Sequence, residues 1–390
     1  MQKRIRAGLL ALGLISALLV AVPVSASSRT YKAISSGYDY ACALTTAGKA
    51  YCWGDNSDGQ LGNSDGTHAD QDHSVAVDTG LKFTSITAGY SHACALTTAG
   101  KAYCWGDNSG GELGNSDGTH ADQDHPVAVD TDLQFKSITA GYSHTCALTS
   151  AGVAYCWGIG SDGQLGTGNT TTEETPVAVV TDLRFKSIAA SALHTCALTK
   201  AGAAYCWGDN GEGYLGNSGL DGGVDQDTPS AVDTDLKFTS ITAGIYHTCA
   251  LTKARAAYCW GENDYGQLGD GTNEDAGSPV EMDLSGVSGK IASVAAGSSS
   301  YSTCVVTTKG DVYCTGYGEY GVFGDGYDGD STTLVPGATG VKVKTVVVSD
   351  YNGYGLTKDG KAYAWGDDGD AGQLGNGADG ENRYHPVLVQ

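Results

Sequence analysis

The chain has 390 residues, with 44 acidic against 22 basic side chains and a formal net charge of −22. A surface of that sign repels nucleic acid and anionic lipid, because binding either one depends on neutralising phosphates with Lys and Arg. Its 58 Gly and 2 Met point to many tight turns rather than to a helical bundle.

Residues 1–26 read as an export leader. Lys3, Arg4 and Arg6 precede an apolar run over 7–22, and Pro23-Val24-Ser25-Ala26 puts small residues where a signal peptidase cuts. The run is short for a membrane span, and no second hydrophobic stretch follows. The expected product is a soluble, monomeric chain outside the cell or in the periplasm, with no membrane insertion.

After the leader the sequence repeats itself. Trp-Gly recurs at Trp53, Trp105, Trp157, Trp207, Trp260 and Trp365, in steps of about fifty residues, with Thr315-Gly316 filling the one gap. A second landmark follows each one, as in Gln60-Leu61-Gly62, Glu112-Leu113-Gly114 and Tyr214-Leu215-Gly216. Seven units result, at approximately 27–80, 81–132, 133–182, 183–235, 236–284, 285–340 and 341–390. They argue for one domain rather than several.

Each unit reads as four short strands, which in the second fall at 83–88, 92–97, 102–105 and 127–130, separated by Gly, Asn, Asp and Ser clusters. Alternation puts Cys94 and Leu96 on one face. Ala93 and Ala95 take the other, beside Tyr103 and Trp105 across the hairpin. A sheet apolar on both sides must be sandwiched, and radially stacked four-stranded sheets satisfy that while leaving only short edges. The expected fold is all-β, a seven-bladed β-propeller of four-stranded antiparallel blades. Its last strand is expected at 386–389.

The residues carrying this pattern resemble a known family. Gly89-Tyr90-Ser91-His92-Ala93-Cys94-Ala95-Leu96-Thr97, then Tyr103-Cys104-Trp105-Gly106-Asp107-Asn108 through Gly114, is similar to the regulator of chromosome condensation repeat. The resemblance spans all seven units and implies the same seven-bladed propeller. The sixth unit departs from it at Thr315 and Val322-Phe323. The seventh lacks the His and has an extra residue before Gln373.

Twelve Cys form pairs ten residues apart: Cys42 with Cys52, Cys94 with Cys104, Cys146 with Cys156, Cys196 with Cys206, Cys249 with Cys259, and Cys304 with Cys314. The seventh unit has Tyr354 and Ala364 instead, so both partners are missing together. With Thr46-Ala47-Gly48 as a three-residue hairpin loop, Cys42 falls opposite Cys52 at a separation that a disulfide needs. Export makes the oxidised state natural. Zinc is disfavoured because it prefers Cys two to four residues apart.

For function, the repeated His92, His144, His194 and His247 read as structural, since a catalytic residue is rarely copied into several blades. Candidate binding residues are the tyrosines before each second strand: Tyr38, Tyr40, Tyr90, Tyr142, Tyr246, Tyr301 and Tyr351. Gathered on one rim, they would form an aromatic collar, and Tyr offers contact area at low entropic cost. A weaker candidate is the acidic segment over 63–73, repeated at 115–125. There His68, Asp70, Asp72, His73, His120, Asp122, Asp124 and His125 could hold a divalent cation, although the spacing of a calcium loop is absent. No other cofactor is expected.

No nucleophile elbow, phosphate loop or zinc-protease motif is legible. The resemblance implies a choice among exchange factors for small GTPases, chromatin binders and a secreted bacterial inhibitor of β-lactamases; export and charge favour the secreted branch. The expectation is a binding scaffold for a protein or glycan. The alternatives are an extracellular carbohydrate-active lyase or hydrolase using loop carboxylates, or a structural cell-surface protein.

Overall fold

The computed structural model describes residues 29–218, 223–378 and 380–390, so the leader at 1–26 lies outside the described residues. Seven four-stranded antiparallel sheets follow one another, each made of consecutive strands in chain order. The first blade contains β1 (Tyr31–Ser36), β2 (Tyr40–Thr45), β3 (Ala50–Gly54) and β4 (Gln71–Ala76). The second contains β5 (Phe83–Ala88), β6 (His92–Thr97), β7 (Ala102–Gly106) and β8 (Gln123–Ala128). This is the seven-bladed β-propeller.

The disulfide register follows from the hairpin. Gly48 sits at φ +83, the left-handed conformation that lets a three-residue loop close. Thr45 N–H then donates to Lys49 O at 2.9 Å, and Cys42 pairs directly with Cys52. The same register sets Cys94 opposite Cys104, Cys146 opposite Cys156 and Cys196 opposite Cys206. It also sets Cys249 opposite Cys259 and Cys304 opposite Cys314. All six pairs are bridged, each with a Cα–Cα distance of 4.1 Å, and no cysteine among the described residues is free. Six such bridges fit an oxidising compartment.

The fourth strands sit differently from the expectation. β8 begins at Gln123 rather than at 127, and the last strand is Arg383–Leu388 rather than 386–389. These are the outer edges of the blades, where polar residues face water and a Pro such as Pro126 forfeits no ladder bond. The alternating apolar signal is therefore weak there. Asp124 and His125 consequently belong to a strand, not to a loop.

Packing between blades uses both faces of every sheet. The Cys-and-Leu face of one blade meets the Ala-and-Trp face of the next. Cys42, Leu44 and Cys52 pack on Ala93, Ala95 and Trp105, and Cys94 and Leu96 pack on Ala147 and Trp157. Polar landmarks complete the seams where the repeat is intact. Trp157 Nε1 donates to Glu112 O at 2.8 Å, and the Thr145 hydroxyl donates to the same carbonyl at 3.0 Å. With its proton committed, that hydroxyl accepts from His92 Nε2 at 2.9 Å. His144–Thr195–Gln164 and His194–Thr248–Tyr214 repeat the chain one and two blades on. Gly166 closes the seam, because at φ +70 a Cβ there would lie 2.7 Å from the Trp207 indole nitrogen. The repeated His, Trp and Gly are thus one interlocking device between blades.

Burial pushes His92 down to about 4 and His144, His194 and His247 down to about 3, so all four are neutral near pH 7. The seam between the last and first blades uses ordinary contacts as well. Tyr31 N–H donates to Gly360 O at 2.7 Å, as Phe83 N–H does to Gly48 O at 2.8 Å, and Trp53 packs on Tyr354. Variety appears where the repeat decays. Thr315 fills the Trp place with its hydroxyl 2.8 Å from Gly266 O, and the seventh blade has no disulfide. Amide exchange under native conditions is expected to be fastest in these last two blades; uniform protection around the ring would contradict it.

Candidate functional site

Antiparallel order fixes what shares a face. The loops after the first and third strands of every blade emerge together; the second-to-third hairpins and the links to the next blade lie opposite. The first strands line a central channel of about 190 Å³ walled by small residues, among them Ser35, Thr87, Thr139 and Thr242. In the sixth blade, Ser298 lines the channel and the Ser299 hydroxyl reaches Gly37 O on the first blade at 3.4 Å. This loop therefore lies at the channel end on the first-to-second-strand side.

Tyrosines cover that face around the channel end. Tyr142 stacks on Tyr90 with centroids 3.8 Å apart, and Tyr90 stacks on Tyr38 at 4.5 Å. Tyr38 then meets Tyr351 edge-on at 5.8 Å. The belt continues through Tyr317, Tyr265, Tyr301 and Tyr246 to Tyr214, in contacts of 5.2 to 6.3 Å. It breaks at the fourth blade, where Ala192 holds the place of Tyr142. Tyr142 is 37% exposed and Tyr320 41%.

Two registers build this belt. Tyr38, Tyr90 and Tyr142 stand four residues before their Cys and stack nearly parallel, at interplanar angles of 26° and 25°. Tyr246 and Tyr301 stand three before theirs and meet edge-on at 62°.

Tyr40 does not belong to the rim. It occupies the His place of the first blade, is fully buried, and donates its hydroxyl to His92 O at 2.6 Å. Conversely, Tyr214, Tyr265, Tyr317 and Tyr320 join the belt from the third-to-fourth-strand loops, which the repeat pattern before the second strands does not reach. The topological rule that both loops emerge together is the signal that finds them.

The acidic segments do not assemble a metal centre. His68 Nδ1 lies 3.1 Å from Ser57 O, while His73 and His125 each pair with the Asp before them, Asp72 and Asp124. His120 Nε2 pairs with Glu174 at 2.7 Å. Asp70 and Asp122 accept the backbone N–H of Asn56 and Asn108, at 3.0 and 3.1 Å, and so order their own loops. Among the described residues no three His, Cys, Asp or Glu converge on one point. The residues prefer local partners because each His sits beside a carboxylate or carbonyl of its own or the adjacent blade.

Carboxylates crowd the tyrosine face instead. Burial and then the neighbouring Asp55, Asp367, Asp350 and Asp70 push Asp39 up to about 7. Burial and Asp264, Asp275 and Glu212 do the same to Glu262, and burial raises Asp350 to about 6. Since the folded pKa of Asp39 exceeds the unfolded value, its protonated form is favoured by folding. That contribution is complete below about pH 4 and disappears as pH rises through 7. Asp39→Asn is therefore expected to be more stable than the parent at pH 8, by at most ~4 kcal/mol, with the gap closing near pH 4. Paired melts across that window check this; an equal gap at both pH values would refute it.

Comparison with known proteins agrees with the geometry. A model of the RCC1-like domain matches residues 8–232 and 75–390. The ultraviolet-B receptor UVR8 of Arabidopsis thaliana is 30% identical over 377 residues, covering 95% of this chain and 84% of the receptor. The human E3 ubiquitin-protein ligase HERC2 is 32% identical over 89% of this chain, which spans only 6% of the ligase. Prp20p from Saccharomyces cerevisiae, whose structure was described with its binding to Gsp1p and histones, superposes with a TM-score of 0.77. That likeness covers 93% of this chain and 87% of Prp20p at 22% identity. These define a propeller of the regulator-of-chromosome-condensation type. The chain belongs to the family of RCC1-like domains. Among the described residues no helix is long and apolar enough to cross a membrane.

Proposed function

We propose that the chain is an exported binding scaffold and that its tyrosine face receives a protein partner. One observation carries this: a nearly continuous belt of tyrosines in ring contact, with Tyr142 and Tyr320 the most exposed, surrounds the channel end on one face. Large, rigid, amphipathic rings that lose little rotamer entropy suit a recognition surface. The binding of Gsp1p and histones by Prp20p supports a protein rather than a glycan as ligand. Six disulfides and the leader-like residues 1–26 support export, as does the acidic charge. The experiment is capture of partners from the producing organism's extracellular fraction, using the parent chain and Tyr90→Ala and Tyr142→Ala side by side. A partner retained by the parent and lost by both variants supports the reading. A partner held equally by all three places recognition elsewhere.

A further inference from the structure

The distribution of charge on the two faces says what kind of partner fits. Lys49, Lys101, Lys200, Lys253, Lys309 and Lys361 lie in the hairpins between second and third strands. The remaining Lys and Arg gather mainly where first strands begin, as at Lys82, Lys136 and Lys237. Both sets of positions are opposite the tyrosines. Among the described residues, Arg383 is the single Lys or Arg on the tyrosine side, and Glu381 faces it at 3.4 Å.

The tyrosine face is acidic. The charges acting on Tyr38, Tyr214, Tyr265 and Tyr301 are those of carboxylates, among them Asp39, Asp209, Glu262, Asp264, Asp330 and Asp350. A further group is left open. Glu112 is fully buried in the place that Tyr214 takes two blades on, and its Oε1 has no hydrogen-bond partner among the described residues. Burial first, and then the neighbouring Asp107, push its carboxyl up to about 7.

We propose that the tyrosine face docks a Lys- and Arg-rich segment of its protein partner, cationic heads lying over the tyrosine rings and pairing with the surrounding carboxylates. Aromatic faces attract cations through their quadrupoles, and Arg stacks on them while keeping its hydrogen bonds to carboxylate. Clustered carboxylates steer a cationic partner toward the face from a distance. A second copy of this chain is a poorer occupant. Its lysine-bearing face also carries Asp130, Asp132, Asp182, Asp233 and Asp235, so the two signs cancel there. The proposal rests on the reading that this face binds protein.

The test uses a fluorescent oligoarginine peptide, with oligoglutamate and Gly-Ser peptides of equal length as controls. The parent chain is expected to bind only the arginine peptide, and to lose about tenfold in affinity between ~0.05 and ~0.5 M salt. Tyr142→Ala, at an exposed position, is expected to weaken that binding about fivefold or more, while Tyr142→Phe retains it. Equal binding by parent and Tyr142→Ala would overturn the proposal, because diffuse attraction to an acidic protein needs no ring. Binding of the Gly-Ser peptide as tightly as the arginine peptide would overturn it too, as would self-association in sedimentation that blocks the peptide. Loss here, with partner capture still dependent on Tyr90 and Tyr142, removes the cationic segment and leaves the scaffold standing. Loss of both removes the scaffold reading itself.

Discussion

Trp207→Ala is expected to lower stability by ~3–5 kcal/mol, the scale of emptying a large aromatic site in a packed core. The indole is fully buried, lies 6.0 Å from the Phe185 ring, and donates to Gln164 O at 2.9 Å. Its loss opens a cavity at the seam between the third and fourth blades and strands a carbonyl that the Thr195 hydroxyl satisfies only in part. The neighbours cannot collapse into the gap, because the Cys146–Cys156 and Cys196–Cys206 bridges fix the hairpins on both sides. Chemical denaturation checks this, with a midpoint shift at unchanged slope as the expected form. A change under ~1 kcal/mol would mean that the seams are softer than the packing implies.

The second large effect is on binding. Tyr142→Ala is expected to lower stability by no more than ~1 kcal/mol, since the ring is partly exposed and its main contact is the stack on Tyr90. Partner affinity should fall by upwards of ~1 kcal/mol, as at a hot spot. Tyr90→Ala removes the middle ring of three and so breaks two stacks, at 4.5 and 3.8 Å. Its binding loss should be the greater. Tyr40→Ala is the contrast: a fully buried ring whose loss costs several kcal/mol in folding. If Tyr90→Ala and Tyr142→Ala melt as early as Tyr40→Ala, the belt is core and not a surface for partners.

Much of this architecture is legible in the residues themselves. A Gly in the left-handed position sets each hairpin register, and the register puts the cysteines opposite one another, from Cys42 and Cys52 round to Cys304 and Cys314. Alternation of Cys and Leu with Ala and Trp likewise announces a sheet buried on both faces. Local pattern fails at the fourth strands. Pro126, Pro176, Pro229 and Pro386 lie in them, tolerated because an outer edge has no further neighbour to bond. It fails at Tyr40 as well, where a tyrosine one repeat position from the rim replaces a buried His. The belt is only half visible in the sequence: tyrosines before the second strands stand out by repetition, whereas Tyr214, Tyr265 and Tyr317 come from a different loop. Only the strand directions bring the two sets together. The charge division needs the same step, since lysines spread evenly along the chain separate to one face only when the hairpins are assigned to it.

The most direct measurement is hydrogen–deuterium exchange of the intact protein with and without its captured partner. Protection is expected to be confined to the loops carrying Tyr38, Tyr90, Tyr142, Tyr246, Tyr301 and Tyr351 and to the third-to-fourth-strand loops beside them. Protection centred instead on the lysine-bearing hairpins around Lys49, Lys101 and Lys200, with the tyrosine loops unchanged, would contradict a binding role for the tyrosine face.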